Sequence, residues 1–187
     1  MATELDWTTT LDEQLSWHWD NHARPRLESL TDDEYFWEPV GNCWNVLPRS
    51  AARTSLAYGA SDLVLEFEHP EPAPPPVTTI AWRLAHVTVS VFGVRNSSHF
   101  GGHAITYETA EYPATASDAL DDLDAAYDTW ITGVRGLDAE GLARPVGAAE
   151  GPFAAYPYAA LICHINREVI HHLAEIMLLR DLYRSRA

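Results

Sequence analysis

Two residues of the last helical segment have the types and spacing of a metal site. Glu168 and His172 lie four residues apart within the segment 164–175. In an α-helix such residues differ by only about 40° in direction, so both can reach one ion. Their positions continue the apolar stripe of this segment, which runs through Leu161, Ile165, Ile176, Leu179 and Tyr183. Because burying a carboxylate and an imidazole without partners costs free energy, the pattern predicts a bound metal ion.

A third ligand is predicted on a second helical segment, where His86 follows Trp82-Arg-Leu-Ala. Apolar residues surround this segment, which predicts that it is largely buried. Two histidines and one glutamate form a recurring catalytic zinc set that leaves a fourth position open, and the same ligand types also bind nickel, iron or manganese. The alternative interpretation of His86 is a core histidine whose ring nitrogens are hydrogen-bonded within the protein.

Other groupings on the last segment are weaker. His164, Glu168 and His172 could offer three ligands from one helix, but they span about 12 Å, too far for a single ion. His164 is instead predicted to line the entrance of the site. His171 and Glu175 also stand four apart, and this pair is predicted to face away from Glu168.

Four long helices are predicted to position these residues, over residues 10–30, 79–100, 117–137 and 158–183. The first is predicted to open on a capping box of Thr10 and Glu13 and to be kinked or interrupted by Pro25. The second is predicted to be capped by Thr78 or Thr79.

The connections carry shorter elements. A short helix is predicted at 31–34, a strand or turn at 37–44 and a short strand at 63–67. Residues 69–77 contain five prolines and are predicted to be an extended connector, and residues 138–157 a long loop. The predicted fold is all-α: a four-helix bundle with a small β/loop excursion between helices 1 and 2.

Length and charge narrow the function classes. The 187 residues fit one domain, 1–187. The net charge of −15 argues against nucleic acid or an anionic membrane as a partner. Cys43 and Cys163 lie far apart, which favours a reducing compartment, and the polar, acidic N-terminus is unlike a secretory signal. We therefore expect a cytoplasmic protein.

The chain has seven tryptophans, more than one small core needs. Some of those near the N-terminus are predicted to cover a homodimer interface, and the candidates are Trp7, Trp17, Trp19, Trp37 and Trp44.

At these residues the sequence resembles the DinB/YfiT-like superfamily. The resemblance rests on the tryptophan-rich opening, residues 37–44, the Trp82-Arg-Leu-Ala-His86 motif and the closing stretch 164–181. It implies a four-helix bundle that holds a divalent metal, most simply zinc, through His86, Glu168 and His172. Many members carry a histidine where this chain has Glu168. The mycothiol-dependent maleylpyruvate isomerase branch has the same set of one histidine and Glu-x₃-His.

The resemblance implies a metal-dependent S-transferase or isomerase that uses a low-molecular-weight thiol such as mycothiol. The metal would lower the pKa of the thiol, and the thiolate would attack a small electrophile. Arg83 or Arg167 could orient a carboxylate on that substrate, with His164 beside them. A metal-dependent hydrolase is one alternative. A non-catalytic, metal-stabilised protein that binds a small molecule or a partner is the other.

Overall fold

The computed structural model describes residues 5–186 and has an α-dominated fold with one small sheet. Residues 1–4 and 187, the ends of the predicted domain, lie outside the described residues. The elements in chain order are α1 (residues 7–27), α2 (Asp32–Tyr35), β1 (Val46–Pro48), β2 (Leu56–Tyr58), β3 (Leu63–Phe67), α3 (residues 80–99), α4 (Ala116–Arg135), α5 (Ala139–Ala143) and α6 (Tyr158–Ser185).

Two of the long helices contain a π-helical stretch. In α1 it is Trp19–Ala23, which ends two residues before Pro25, so the predicted interruption is present. Pro25 has no N–H with which to continue the α-helical pattern. In α3 the stretch is His86–Gly93, so the candidate ligand His86 is its first residue. π-Helical turns occur frequently at functional sites.

The first helix begins earlier than its sequence predicts. The N-cap is Asp6, whose carboxylate accepts hydrogen bonds from the Thr9 backbone N–H at 3.1 Å and the Thr9 hydroxyl at 2.6 Å. The predicted capping box of Thr10 and Glu13 is wrong. Thr10 lies inside the helix and donates its hydroxyl to the Asp6 backbone carbonyl. Asp6 takes the N-cap position because its charged side chain is a strong acceptor at a helix N-terminus.

The long helices share one core. Both α1 and α3 contact both α4 and α6, and the buried side chains between them are mostly aliphatic and aromatic. Of the tryptophans predicted for a dimer interface, Trp19 and Trp44 are buried in the core, Trp37 is half-buried, and Trp7 and Trp17 are about 60% exposed. Within residues 5–186, no helix combines the length and the apolar character that a membrane crossing requires.

The excursion between α1 and α3 contains more β-structure than predicted. Strand β3, predicted at 63–67, is confirmed and is the central strand of an antiparallel sheet with the order β1-β3-β2. The two outer strands have three residues each, too few for a periodic signal. The predicted loop 138–157 also contains α5, which is capped by the side chain of Asp138.

This sheet fixes the start of α3. The N-cap Thr79 accepts from the Trp82 backbone N–H and donates its hydroxyl to Asn45 Oδ1 at 2.8 Å. The Trp82 indole N–H donates to the backbone carbonyl of Glu66, in the central strand, at 2.8 Å. The Trp82 ring then stacks on the ring of His86, with 5.4 Å between centroids and 13° between planes. The excursion therefore helps to orient the first candidate ligand.

Candidate metal centre

His86 and His172 bring their rings together from α3 and α6. The ring centroids are 4.7 Å apart and the planes are nearly perpendicular, at 87°. His172 is buried and His86 is half-buried. Burial lowers the pKa of both imidazoles, and for His86 the nearby His172 and Arg83 contribute to a pKa of about 3. Both rings are therefore neutral near pH 7, as metal ligation requires.

Each ring has one nitrogen occupied by an outer partner. His172 Nδ1 lies 2.9 Å from a carboxylate oxygen of Glu175, and His86 Nδ1 lies 2.5 Å from the Tyr107 hydroxyl. In metal sites a ligating histidine usually donates its second ring N–H to such a partner, which fixes the tautomer and the ring orientation. With Nδ1 donating, the Nε2 atoms of both rings keep their lone pairs for an ion.

Arg83 lies behind His172. Its Nη1 donates to the Glu175 carboxylate at 2.7 Å and is 3.1 Å from His172 Nδ1. An arginine N–H and an imidazole N–H are both donors, so the carboxylate oxygen is the shared acceptor. The structure thus places this predicted substrate-binding arginine on Glu175, where it helps to hold the orienting carboxylate.

Glu168 lies at the solvent edge of the site. Its Oε2 atom is 3.8 Å from His172 Nε2, on the side of the ring away from Glu175. The side chain is 32% exposed, so the predicted position of Glu168 within the buried stripe is wrong. The buried stripe passes through Val169, between Ile165 and His172. A carboxylate at this edge needs less desolvation than a buried one.

A second grouping shares His172. Side-chain donor atoms of His171, His172 and Glu175 lie within 4.8 Å of one another, and this cluster could hold a metal ion. Two features count against it: His171 is exposed, and the Arg83 guanidinium is only 2.7 Å from Glu175. A metal ion bound there would be repelled by the Arg83 guanidinium at close range.

The Nε2 side of the histidines avoids this conflict. Two neutral imidazoles from different helices and one carboxylate are a donor set that suits a divalent transition metal. His86, Glu168 and His172 therefore fit such an ion. Glu168 lies 3.8 Å from His172 Nε2 and would have to move closer to complete the set.

A cavity adjoins Glu168. Its volume is about 410 Å³, and its lining residues are Arg95, Val146, Glu150, Phe153, Tyr156, Ala160, Leu161, His164 and Arg167. We call it the Arg95 cavity. His164 Nδ1 and Arg167 Nε lie 3.6 and 3.9 Å from Glu168 Oε1, so the wall of the cavity reaches the candidate ligand. The two predicted substrate-binding residues of α6 thus lie between the cavity and Glu168.

Glu175 and Tyr107 are absent from the predicted site. The spacing of His172 and Glu175, three residues on one helix, could have indicated the first. Tyr107 lies in the connection between α3 and α4, and its contact with His86 joins residues 21 positions apart without any periodic pattern.

Comparison with known proteins gives one match. No curated protein and no solved structure matches the chain. The family model of the DinB superfamily matches residues 14–176, a range that contains His86, Glu168 and His172. The chain therefore belongs to the DinB superfamily.

Proposed function

We propose that this protein is a metal-dependent enzyme that activates a low-molecular-weight thiol for S-transfer to, or isomerisation of, a small electrophile. The observation that carries the proposal is the approach of the His86 and His172 rings from two helices, each with Nδ1 on an outer partner. Both rings are neutral and each keeps its Nε2 atom free of the Nδ1 partner, which leaves two nitrogen donors on facing helices. DinB proteins generally bind a metal, which supports a metal site among these residues.

The residues of the site have separable roles in this proposal. His86, Glu168 and His172 would hold one divalent ion, and Tyr107 and Glu175 would hold the two imidazoles in the ligating tautomer. Three protein ligands leave one coordination position open, and a thiol bound in that position would have its pKa lowered enough to be a thiolate at neutral pH. His172 is buried, so protein atoms rather than water surround most of its ring.

The Arg95 cavity is the proposed place for the electrophile. Val146, Phe153 and Leu161 offer apolar walls. Arg167 offers positive charge, and so does Arg95, although Arg95 lies 3.5 Å from Glu150 in the same lining. A substrate with an apolar body and a carboxylate would match this combination.

The thiol would lose its proton to water, and its sulfur would form a bond to the electrophilic carbon. In S-transfer, the bond from that carbon to a leaving group would break and its electron pair would depart with the leaving group. In isomerisation, the sulfur would add to an activated C=C bond, the π pair would move to the activating carbonyl, and the sulfur would be expelled again after rotation about the former double bond.

Glu175→Gln is expected to weaken metal binding by about 10-fold or more, because loss of an outer carboxylate partner typically costs 10–100-fold in metal affinity. The measurement is competition for zinc with a chelating dye. Asp181→Asn is the matched control, since Asp181 is an exposed carboxylate on the same helix and pairs with Arg26. Equal affinities in the two variants would show that Glu175 does not orient a ligand.

Thiol binding is expected only in the metal-loaded protein. Calorimetric titration with mycothiol, glutathione and bacillithiol should show saturable binding of at least one thiol, because a thiolate is a strong ligand for zinc-like ions. Protein stripped with a chelator is the control and should bind none. If no thiol binds, or if metal-free protein binds equally well, the thiol-dependent reaction is wrong.

That outcome would favour the alternatives. A metal-dependent hydrolase needs the same open position for water, whereas a non-catalytic binding protein needs only the Arg95 cavity.

The exposed Trp7 and Trp17 support the further proposal of a homodimer. Light scattering that gives a monomer mass at micromolar concentration would count against it. A cytoplasmic location likewise belongs to this proposal.

A further inference from the structure

Glu150 places a carboxylate in the wall of the Arg95 cavity. It lies on the loop between α5 and α6, and its side chain is only 9% exposed. Its Oε2 atom is 3.5 Å from Arg95 Nη2, in the same wall. Because a buried carboxylate costs free energy unless hydrogen bonds or opposite charges compensate for it, the other partners of Glu150 matter.

His99 holds Glu150 in this position. The His99 side chain is 2% exposed, with Nδ1 lying 2.9 Å from the Tyr158 hydroxyl and Nε2 lying 3.0 Å from Glu150 Oε1. When the hydroxyl donates to Nδ1, Nε2 carries the ring proton and donates it to the carboxylate. The base of the loop is closed by the Val146 N–H, which donates to the Tyr156 carbonyl at 2.9 Å. The carboxylate is thus fixed in the wall and cannot turn away freely when a ligand enters.

The charged groups of the cavity match one ligand carboxylate. The lining has two guanidinium groups, those of Arg95 and Arg167, and one carboxylate, that of Glu150. Arg167 is 68% exposed, whereas Arg95 is 24% exposed and has Glu150 beside it. A first ligand carboxylate would pair with Arg167. A second one would have to approach Arg95, where the fixed carboxylate of Glu150 would repel it in partly buried surroundings that screen charge poorly.

We propose that Glu150 determines the charge class of the substrate: it selects ligands with one carboxylate on an apolar body over dicarboxylates with the same body. The inference rests on the proposed function only in naming the bound molecule as the substrate. Binding itself needs neither metal nor thiol, so it can be tested apart from the reaction. The ligand contacts Arg95 and Arg167, which are both partly exposed, and the charge of Glu150 acts on it without contact.

The probes are phenylacetate, 1,4-phenylenediacetate, which adds a second carboxylate to the same ring, and the neutral phenylacetamide. Each is titrated calorimetrically into the full chain at pH 8, where the carboxylates are ionised, after chelation so that none binds through a metal ion. The natural chain should bind phenylacetate most tightly. It should bind 1,4-phenylenediacetate about ten-fold more weakly, because two carboxylates close together repel strongly in a partly buried site. Phenylacetamide should bind about five-fold more weakly than phenylacetate, the effect of losing one exposed ion pair.

Glu150→Gln removes the charge and keeps the anchor of the loop, because the amide oxygen of glutamine can still accept from His99 Nε2. This variant should bind 1,4-phenylenediacetate about ten-fold more tightly than the natural chain does, and at least as tightly as it binds phenylacetate. Phenylacetamide should bind both chains equally, since the shape of the cavity is kept. Glu140→Gln is the matched control, because Glu140 is an exposed glutamate outside the lining, and it should leave all three affinities unchanged.

A double variant assigns the gain to one arginine. If the second carboxylate pairs with Arg95, adding Arg95→Gln to Glu150→Gln should remove the gain and restore the preference for phenylacetate. A double variant that keeps the gain would show that Glu150 does not act at Arg95 and would overturn the inference.

Three other results would also overturn it. They are absence of phenylacetate binding to the natural chain, equal binding of the monocarboxylate and the dicarboxylate to that chain, or the same change of preference in Glu140→Gln as in Glu150→Gln. If Glu150→Gln does not fold, the comparison of the three probes on the natural chain decides. Loss of thiol binding with this preference intact would overturn the proposed reaction alone.

Discussion

Replacing His172 by alanine is expected to remove stoichiometric metal from the purified protein. His172 is the only residue common to both groupings that could hold an ion, and its Nε2 faces Glu168 while its Nδ1 is held by Glu175. Without it, each grouping keeps only two protein ligands: His86 and Glu168 on separate helices, or His171 and Glu175, whose Nε2 and Oε1 atoms lie 3.4 Å apart. Two ligands are fewer than the three or four that hold a zinc ion in proteins. The measurement is elemental analysis per chain, and full occupancy in this variant would contradict both groupings.

Two further variants separate the groupings. His86→Ala should also lose the metal if His86, Glu168 and His172 are the ligands, whereas His171→Ala should retain it. His171 is the matched control, because it is a histidine adjacent to His172 that is exposed and outside the proposed set. Loss of metal from His171→Ala with retention in His86→Ala would move the site to His171, His172 and Glu175.

Glu34→Gln is expected to lower the free energy of unfolding by about 3–5 kcal/mol, the usual effect of breaking a buried ion pair from one side. Glu34 is 3% exposed and accepts hydrogen bonds from Arg180, which is 2% exposed and reaches across from α6. The Gln variant keeps the shape but leaves the arginine charge buried and without its carboxylate. Denaturant unfolding followed by tryptophan fluorescence measures the loss.

Asp181→Asn is the control for an exposed ion pair. Asp181 binds Arg26 at 2.7 Å, with both side chains about half exposed. Such pairs contribute about 0.2–1 kcal/mol, so this variant should be nearly as stable as the natural chain. Similar losses in the two variants would show that burial of the Glu34 pair has little energetic consequence.

The difference between Glu34→Gln and the natural chain should depend on pH. Burial by itself raises the pKa of Glu34, but hydrogen bonds from Arg180 and from the Thr31 backbone N–H outweigh it and hold the pKa below its usual value of 4.5. A carboxylate with a lowered folded-state pKa stabilises the fold fully above the unfolded pKa. The stability difference should therefore be constant above about pH 5.5 and shrink as the pH falls through the folded pKa.

Local features of the sequence account for much of this fold. The bounds of α3 and α6 agree with prediction to within one or two residues, because Thr79 caps the first and Pro157 precedes the second. The short helix predicted at 31–34 is also present, at Asp32–Tyr35, and Thr31 and Glu34 form its capping box. Such signals act over three or four residues and need no tertiary contact, which is why they can be read without a structure. The start of α1 was misread because a stronger cap, Asp6, lies just upstream.

For the candidate site, the sequence alone determined the residue types and the i, i+4 spacing of Glu168 and His172, since a helix of any context places them on neighbouring turns. Only the tertiary structure decided which nitrogen of each histidine is free. For His86 that depends on Tyr107, 21 residues away, and for His172 it depends on Glu175, which Arg83 holds from α3. It also moved Glu168 from the buried stripe to the solvent edge. Contacts between residues so far apart depend on how whole helices pack against one another, and the helical periodicity of the sequence does not indicate that packing.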